Sequence, residues 1–313
     1  MMSPALVTFA LIFLQGEPRT PEEKALAYLS REVPRWSVEN HCYSCHNNGD
    51  AARALFKAIE MRRSVKPEAT LDTERWLARP EAWDKNGGDG PFSDKPLARL
   101  QFASSLASAV EAGRINDREI LKRAALRLSE DQAEDGSWPI DEQSRLGSPA
   151  TYGRSLATWT ARETLRITDP QRFRPRIDRA DAWLARQPLE SVMDASTALL
   201  ARAFDDSEAG RARLRKALDL LRQGQSRDGG WGPFAQSPPE AFDTALALLA
   251  LDRSRDQPGV ADLIRKGRAF LVESQQEDGS WVETTRPTGA ESYAQRLSTT
   301  GWATLALLIV KAF

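Results

Sequence analysis

Hydrophobic positions along this chain recur in steps of three and four, in the same order three times over. Leu121, Ala124 and Leu128 form one row, Leu214, Ala217 and Leu221 a second, and Ile264, Gly267 and Leu271 a third. Such steps fall on one face of a helix, and the small middle residue lets a second helix approach closely. The rows stand 17, 14 and 10 residues before Trp138, Trp231 and Trp281, so one helix with one exit is predicted each time. Little period-two alternation is sustained anywhere, so strands are not expected.

Each row runs into a turn. "QAEDGSW" (132–138), "QSRDGGW" (225–231) and "QQEDGSW" (275–281) all read Q-x-x-D-G-[SG]-W. Asp-Gly turns the chain because Gly takes positive φ at little cost. The Trp plugs a gap between packed helices, and the Gln caps backbone groups at a helix end. A second helix then follows, as in "FDTALALLAL" (242–251) and "MDASTALLARAF" (193–204). Asp243 and Asp194 sit at its start, where a carboxylate accepts free N–H groups and complements the helix dipole. A weaker copy, "NGGDGPF" (86–92), echoes "DGGWGPF" (228–234). Trp36, Trp83, Trp138, Arg186, Trp231 and Trp281 then mark six turns spaced 45 to 55 residues apart. The hairpins are placed near 22–60, 71–112, 118–167, 176–204, 211–252 and 263–311, filling residues 22–311.

These motifs resemble the squalene cyclase and protein prenyltransferase superfamily, in which Q-x-x-D-G-x-W is the signature turn. The resemblance implies an all-α fold, an α/α toroid whose inner helices surround a central cavity. An open solenoid of the same hairpins is the alternative, and it needs capped end faces. Class II cyclases of the family carry D-x-D-D-T-A at the start of an inner helix, with the acid at its third position. The matching run here is Glu240-Ala241-Phe242-Asp243-Thr244-Ala245, and Phe242 has no proton to give an alkene. Asp243 is therefore read as a helix cap. Prenyltransferases of the fold assemble zinc from distant Asp, Cys and His. Every Cys and His of this chain lies within residues 41–46, so that site cannot be built from them.

That concentration is the main chemical signal. "HCYSCHN" (41–47) holds both cysteines and both histidines of the chain, as His41, Cys42, Cys45 and His46. C-x-x-C-H is the attachment signal for haem c. Two thiols three residues apart add to the two vinyl groups along one porphyrin edge, and the adjacent His46 lies under the iron. Alignment of "NGDAARAL" (48–55) with "AFDTALAL" (241–248) sets Asp50 on Asp243. This puts the motif in the first hairpin's turn, on the rim at the mouth of the cavity. Three other readings stay open: a redox disulfide, a structural zinc held by all four side chains, and a chance pair. Met193, at the start of the fourth inner helix, is a candidate distal ligand on geometry, with a core filler as its favoured role; Lys85, the amino terminus and an open iron are the alternatives. Tyr152 and Tyr293, with Arg154 and Arg296 nearby, are candidate cavity liners.

Composition and charge narrow the rest. Lys and Arg total 43 against 44 Asp and Glu, and the net charge of -1 comes with no basic run, so nucleic acid is not expected as a partner. Residues 1–16 read as a secretory signal, apolar from Ala5 to Leu14 and too short to span a bilayer. Export to the periplasm or beyond agrees with haem c attachment, and no transmembrane segment is expected in the mature chain. The leading expectation is an exported haem c protein for electron transfer or haem-based redox chemistry, working with an unidentified redox partner or an apolar small molecule in the cavity. The alternatives are a non-catalytic binding toroid with a structural Cys pair, and a divergent terpenoid cyclase-like enzyme.

Overall fold

The computed structural model of the protein describes residues 20–85, 94–140, 146–202, 207–286 and 288–311. The expected leader over residues 1–16 and the turn at 86–92 lie outside these. Among the described residues the helices follow one another in pairs. They are α1 (Pro21–Asn40) with α2 (Ala52–Glu60), α3 (Leu71–Leu77) with α4 (Lys95–Glu111), and α5 (Arg118–Glu130) with α6 (Gly153–Thr168). Then come α7 (Arg174–Arg186) with α8 (Val192–Ala201), α9 (Glu208–Gly224) with α10 (Ala241–Asp252), and α11 (Val260–Glu273) with α12 (Tyr293–Ile309). Two isolated bridges at Trp231 are the only strand-like pairing among the described residues.

The second helix of each pair belongs to an inner layer. Every residue of α10 but Asp252 is buried, whereas α9 buries only Gly210, Ala217, Leu218, Leu221 and Gly224. A helix apolar all round must be enclosed, and one with a single apolar stripe can face water. The inner helices touch in the order α2, α4, α6, α8, α10, α12 and back to α2. The ring is closed, so the all-α fold is an α/α toroid and not an open solenoid.

The three sequence-matched turns share one set of bonds. The indole Nε1 of Trp138, Trp231 and Trp281 donates to the carbonyl of Leu128, Leu221 and Leu271, at 2.9, 2.7 and 2.8 Å. The backbone N–H of each Trp donates to Thr158, Thr244 or Thr300 on the following inner helix. The Gln does something the sequence did not disclose. Gln132, Gln225 and Gln275 each donate to their own turn's Gly carbonyl and also to a carbonyl of the next outer helix, at Arg176, Leu263 and Pro21. The Asp-Gly glycines, with φ of 99°, 90° and 93°, lie flat against that same helix. Each turn therefore fastens one hairpin to its neighbour, and the last fastens the end of the ring to its beginning through Pro21. Arg268 and Glu22, paired at 3.0 Å, span the same seam. Trp36 is an exception to the expected series: it lies inside α1 and stacks on Tyr293 with ring centroids 6.0 Å apart.

A Cβ at Gly279 would stand 2.3 Å from the Lys24 carbonyl oxygen. Gly279→Ala is expected to destabilise the protein by more than about 1 kcal/mol, since Ala is strained at positive φ and the seam must open. Urea unfolding checks this, and an unchanged midpoint would mean that the seam does not hold the ring.

Candidate functional site at the ring centre

The chain leaves α1 through His41, in the left-handed region at φ 55°, and enters a π-helix over Cys45–Ala51 that leads into α2. The sequence reading placed the whole C-x-x-C-H in the turn before the helix. Instead Cys45 and His46 already lie in helical structure. The reason is a cap the alignment did not reveal: Ser44 Oγ accepts the N–H groups of His46 and Asn47 at 3.2 and 3.3 Å. Asn47 and Asn48, both fully buried, donate back to the α1 carbonyls of Glu32 and Val33. Asn48 also donates to Thr73 at 2.8 Å. Tyr43 stacks on Trp76 with centroids 4.4 Å apart and donates to Asp72. A wide helical turn pinned at so many points is a feature that recurs at functional sites.

Cys42, Cys45 and His46 are brought together at this end of the ring, half-buried, with both thiols free. The imidazole Nδ1 lies 3.4 Å from Ser298 Oγ on α12. Burial pushes His46 down to about 4, so the ring is neutral. Burial, reinforced by the charges of Asp50 and Asp94, pushes the Cys45 thiol up to about 12. Among the described residues no three His, Cys, Asp or Glu side chains converge as metal ligands, so His41 does not complete a zinc tetrad. Met193 is buried in the first turn of α8, three places around the ring from α2.

Beneath the motif lies a buried polar cluster that sequence reasoning missed. Asp50, 1% exposed, accepts from Tyr152 OH at 2.5 Å and Arg53 Nη1 at 3.1 Å on one oxygen, and from Trp302 Nε1 at 3.1 Å on the other. The Arg53 guanidinium lies 4.7 Å from the Trp302 ring centroid. Burial raises the Asp50 carboxyl, while Arg53, Tyr152 and Ser298 pull it down. Tyr152 reaches Asp50 from a strained backbone: its φ is 61°, and the flanking Thr151 carbonyl accepts Gly153 N–H at 2.7 Å. Such conformers cost about 1–3 kcal/mol and persist where the surroundings enforce them. Tyr152 was expected to line the cavity beside Arg154. Arg154 instead bonds Asp135 and Ser137, and Arg296 bonds Glu283.

The repeat-equivalent carboxylates serve three different ends. Asp194 closes a capping box with Ser191. Asp243 makes no cap; Arg286 grips it at 3.0 and 3.2 Å and reaches Glu240 at 2.7 Å. Phe242, beside it, is fully buried and packs edge-on against Trp302. A cavity of about 340 Å³ lies toward the other end of the ring. Its walls come from the C-terminal halves of the inner helices, with Arg53 and Trp302 as its link to Asp50. The motif was expected at the mouth of the cavity. None of the residues lining this cavity belongs to the motif, which sits at the N-terminal ends of the inner helices.

Burial pushes Asp243 up to about 7 despite Arg286. An acid whose folded value is raised loses stability as pH climbs from its unfolded value toward the folded one. The stability of the wild type minus that of Asp243→Asn should fall between about pH 4 and about pH 7 and level off above. Urea unfolding across that range checks it; a flat difference would place the ionised Asp243–Arg286 pair in control throughout.

Comparison with known proteins bears on the scaffold. Residues 174–289 match the model of the squalene-hopene cyclase C-terminal domain. A squalene–hopene cyclase of Bradyrhizobium diazoefficiens is 32% identical over 33% of this chain and 17% of its own length. A probable squalene–hopene cyclase of Sinorhizobium fredii is 22% identical over 80% of this chain and 44% of its own. The chain thus spans less than half the length of these relatives. Among solved structures, the type II terpene cyclase MstE from Scytonema superposes with a TM-score of 0.56 at 12% identity, covering 92% of this chain and 98% of that one. A possible member of the GH105 family from Klebsiella pneumoniae reaches 0.55 at 12% identity, covering 97% and 98%. The protein is built on the α/α toroid of the terpene cyclases, and its segment 174–289 matches the squalene-hopene cyclase C-terminal domain family.

Proposed function

We propose that the protein is an exported toroid that carries haem c at one rim of its inner ring and transfers electrons there. The observation that carries this reading is the run Cys42-Tyr43-Ser44-Cys45-His46, with Nδ1 of the imidazole at Ser298. That contact leaves Nε2 as the nitrogen for a metal, and an outer partner on the second ring nitrogen is what orients a ligating His. Cys42 and Cys45 would hold the porphyrin by thioethers and His46 would be the proximal ligand. When bound, the haem would supply one-electron chemistry. The remaining work belongs to the chain. Ser298, backed by Asp50, fixes the imidazole plane, and the π-helix fixes Cys45 beside it. A thioether is uncharged, which suits the half-buried Cys45, whereas zinc binding and disulfide exchange both need a thiolate that this site disfavours. Met193, on α8 across the ring, would take the distal position.

A second reading, a cyclase-like enzyme, is favoured by the match over residues 174–289. Its acid would have to come from Asp50 or Asp243, and each is gripped by an arginine.

The protein made in a bacterial periplasm with c-type maturation machinery is expected to keep its haem through denaturing electrophoresis and to show a Soret band. Cys42→Ala and Cys45→Ala should abolish the covalent stain, and Met193→Ala should alter the spectrum only if Met193 binds iron. Thiols found free, or joined only to each other, in protein from such a host would sink the haem assignment. A cyclised product from an added polyprenyl substrate would favour the second reading.

A further inference from the structure

The cavity toward the C-terminal ends of the inner helices carries charge as well as apolar surface, and most of that charge is committed within the fold. Arg53 is paired with Asp50, Lys57 with Glu60, and Asp252 with Arg255. Glu163 is shared by Arg162 and Arg166. Two lining residues are left over. Among the described residues, no ion pair or side-chain hydrogen bond reaches Glu111 or Arg253.

Glu111 is badly placed for an anion on its own. It ends α4, whose last turn holds no basic residue. Its carboxylate therefore stands at the negative end of the helix dipole, where a cation is favoured. Glu111 is exposed at the cavity's edge, yet the protein around it still raises its carboxyl by burial. Lys57 and Arg166 draw that carboxyl down, and Glu60 and Glu163 push it back up. Arg253 follows α10 as its C-cap and presents an unshared guanidinium. The order of the inner helices sets α4 and α10 face to face, three steps apart in either direction. The free anion and the free cation thus stand on opposite walls and do not meet. Between them the wall is apolar at Leu200, Leu249, Leu305 and Trp302. The hydroxyls of Ser108 and Thr164 are turned onto backbone carbonyls.

We infer that this cavity binds a zwitterion of the ω-amino acid class, with its ammonium at Glu111, its carboxylate at Arg253 and its apolar chain along the leucines and Trp302. A charge-assisted hydrogen bond at each end supplies the recognition. The site is independent of haem attachment, since none of its lining residues belongs to the Cys42–His46 motif.

Calorimetric titration of the full chain with 4-aminobutanoate, 6-aminohexanoate and 8-aminooctanoate tests this. The best of the three is expected to bind at least about threefold more tightly than the plain amine or the plain carboxylate of the same length, a margin suited to ion pairs at a cavity open to water. The margin should shrink as salt is added. Norleucine, an isomer of 6-aminohexanoate with both charges at one end, should bind more weakly than 6-aminohexanoate. Glu111→Gln should remove the advantage over the carboxylate, and Arg253→Gln the advantage over the amine. Both residues lie at the cavity's edge and outside the core, so the variants are expected to fold. An amine or a carboxylate that binds as tightly as the zwitterion would overturn the inference. So would equal binding of norleucine, a preference that survives both substitutions, or binding of none of the series.

Discussion

The structure depends on one repeated contact: a turn glutamine that donates both to its own turn and to the next outer helix. A hairpin of two helices cannot bury both faces of its inner member alone. The Gln–carbonyl pair, the Asp-Gly bend lying flat on the neighbour and the Trp donating to Leu128, Leu221 or Leu271 set the step from one hairpin to the next. Hydrogen bonds of this kind contribute only about 1 kcal/mol each. Their weight comes from geometry, because a fixed step repeated around a circle returns to its start. Gln275 on Pro21 is that return, and it converts a stack of hairpins into a vessel with two ends.

Closure has a chemical consequence. Inner helices become buried on all sides, so any polar group pointing inward must find a partner across the ring. Asp50 does so with side chains from α2, from Tyr152 just before α6 and from α12, holding together residues as far apart in sequence as 50 and 302. The same cluster stands between the Cys42–His46 rim and the cavity. It touches the rim through Ser298 and the cavity through Arg53 and Trp302, so both ends of the vessel rest on one carboxylate. Asp243 shows the alternative outcome at an equivalent position. Its carboxyl group is gripped by Arg286 and thereby ties a loop to the wall, while Phe242 beside it occupies the acid's position in the D-x-D-D pattern.

Much of this was legible in the chain. Steps of three and four, the Q-x-x-D-G-x-W turns and the lack of alternation dictate paired helices in a repeating series, because helix faces and Asp-Gly bends are set by residues close in sequence. The C-x-x-C-H run was equally plain for the same reason. Tertiary structure alone decided the rest: that Ser44 starts a helix beneath Cys45, that Asp243 meets Arg286 in place of a cap, that Trp36 belongs inside α1, and that Asp50, Tyr152 and Trp302 meet at all. Those outcomes depend on which side chain stands opposite across a closed ring, and a local pattern carries no record of its opposite wall.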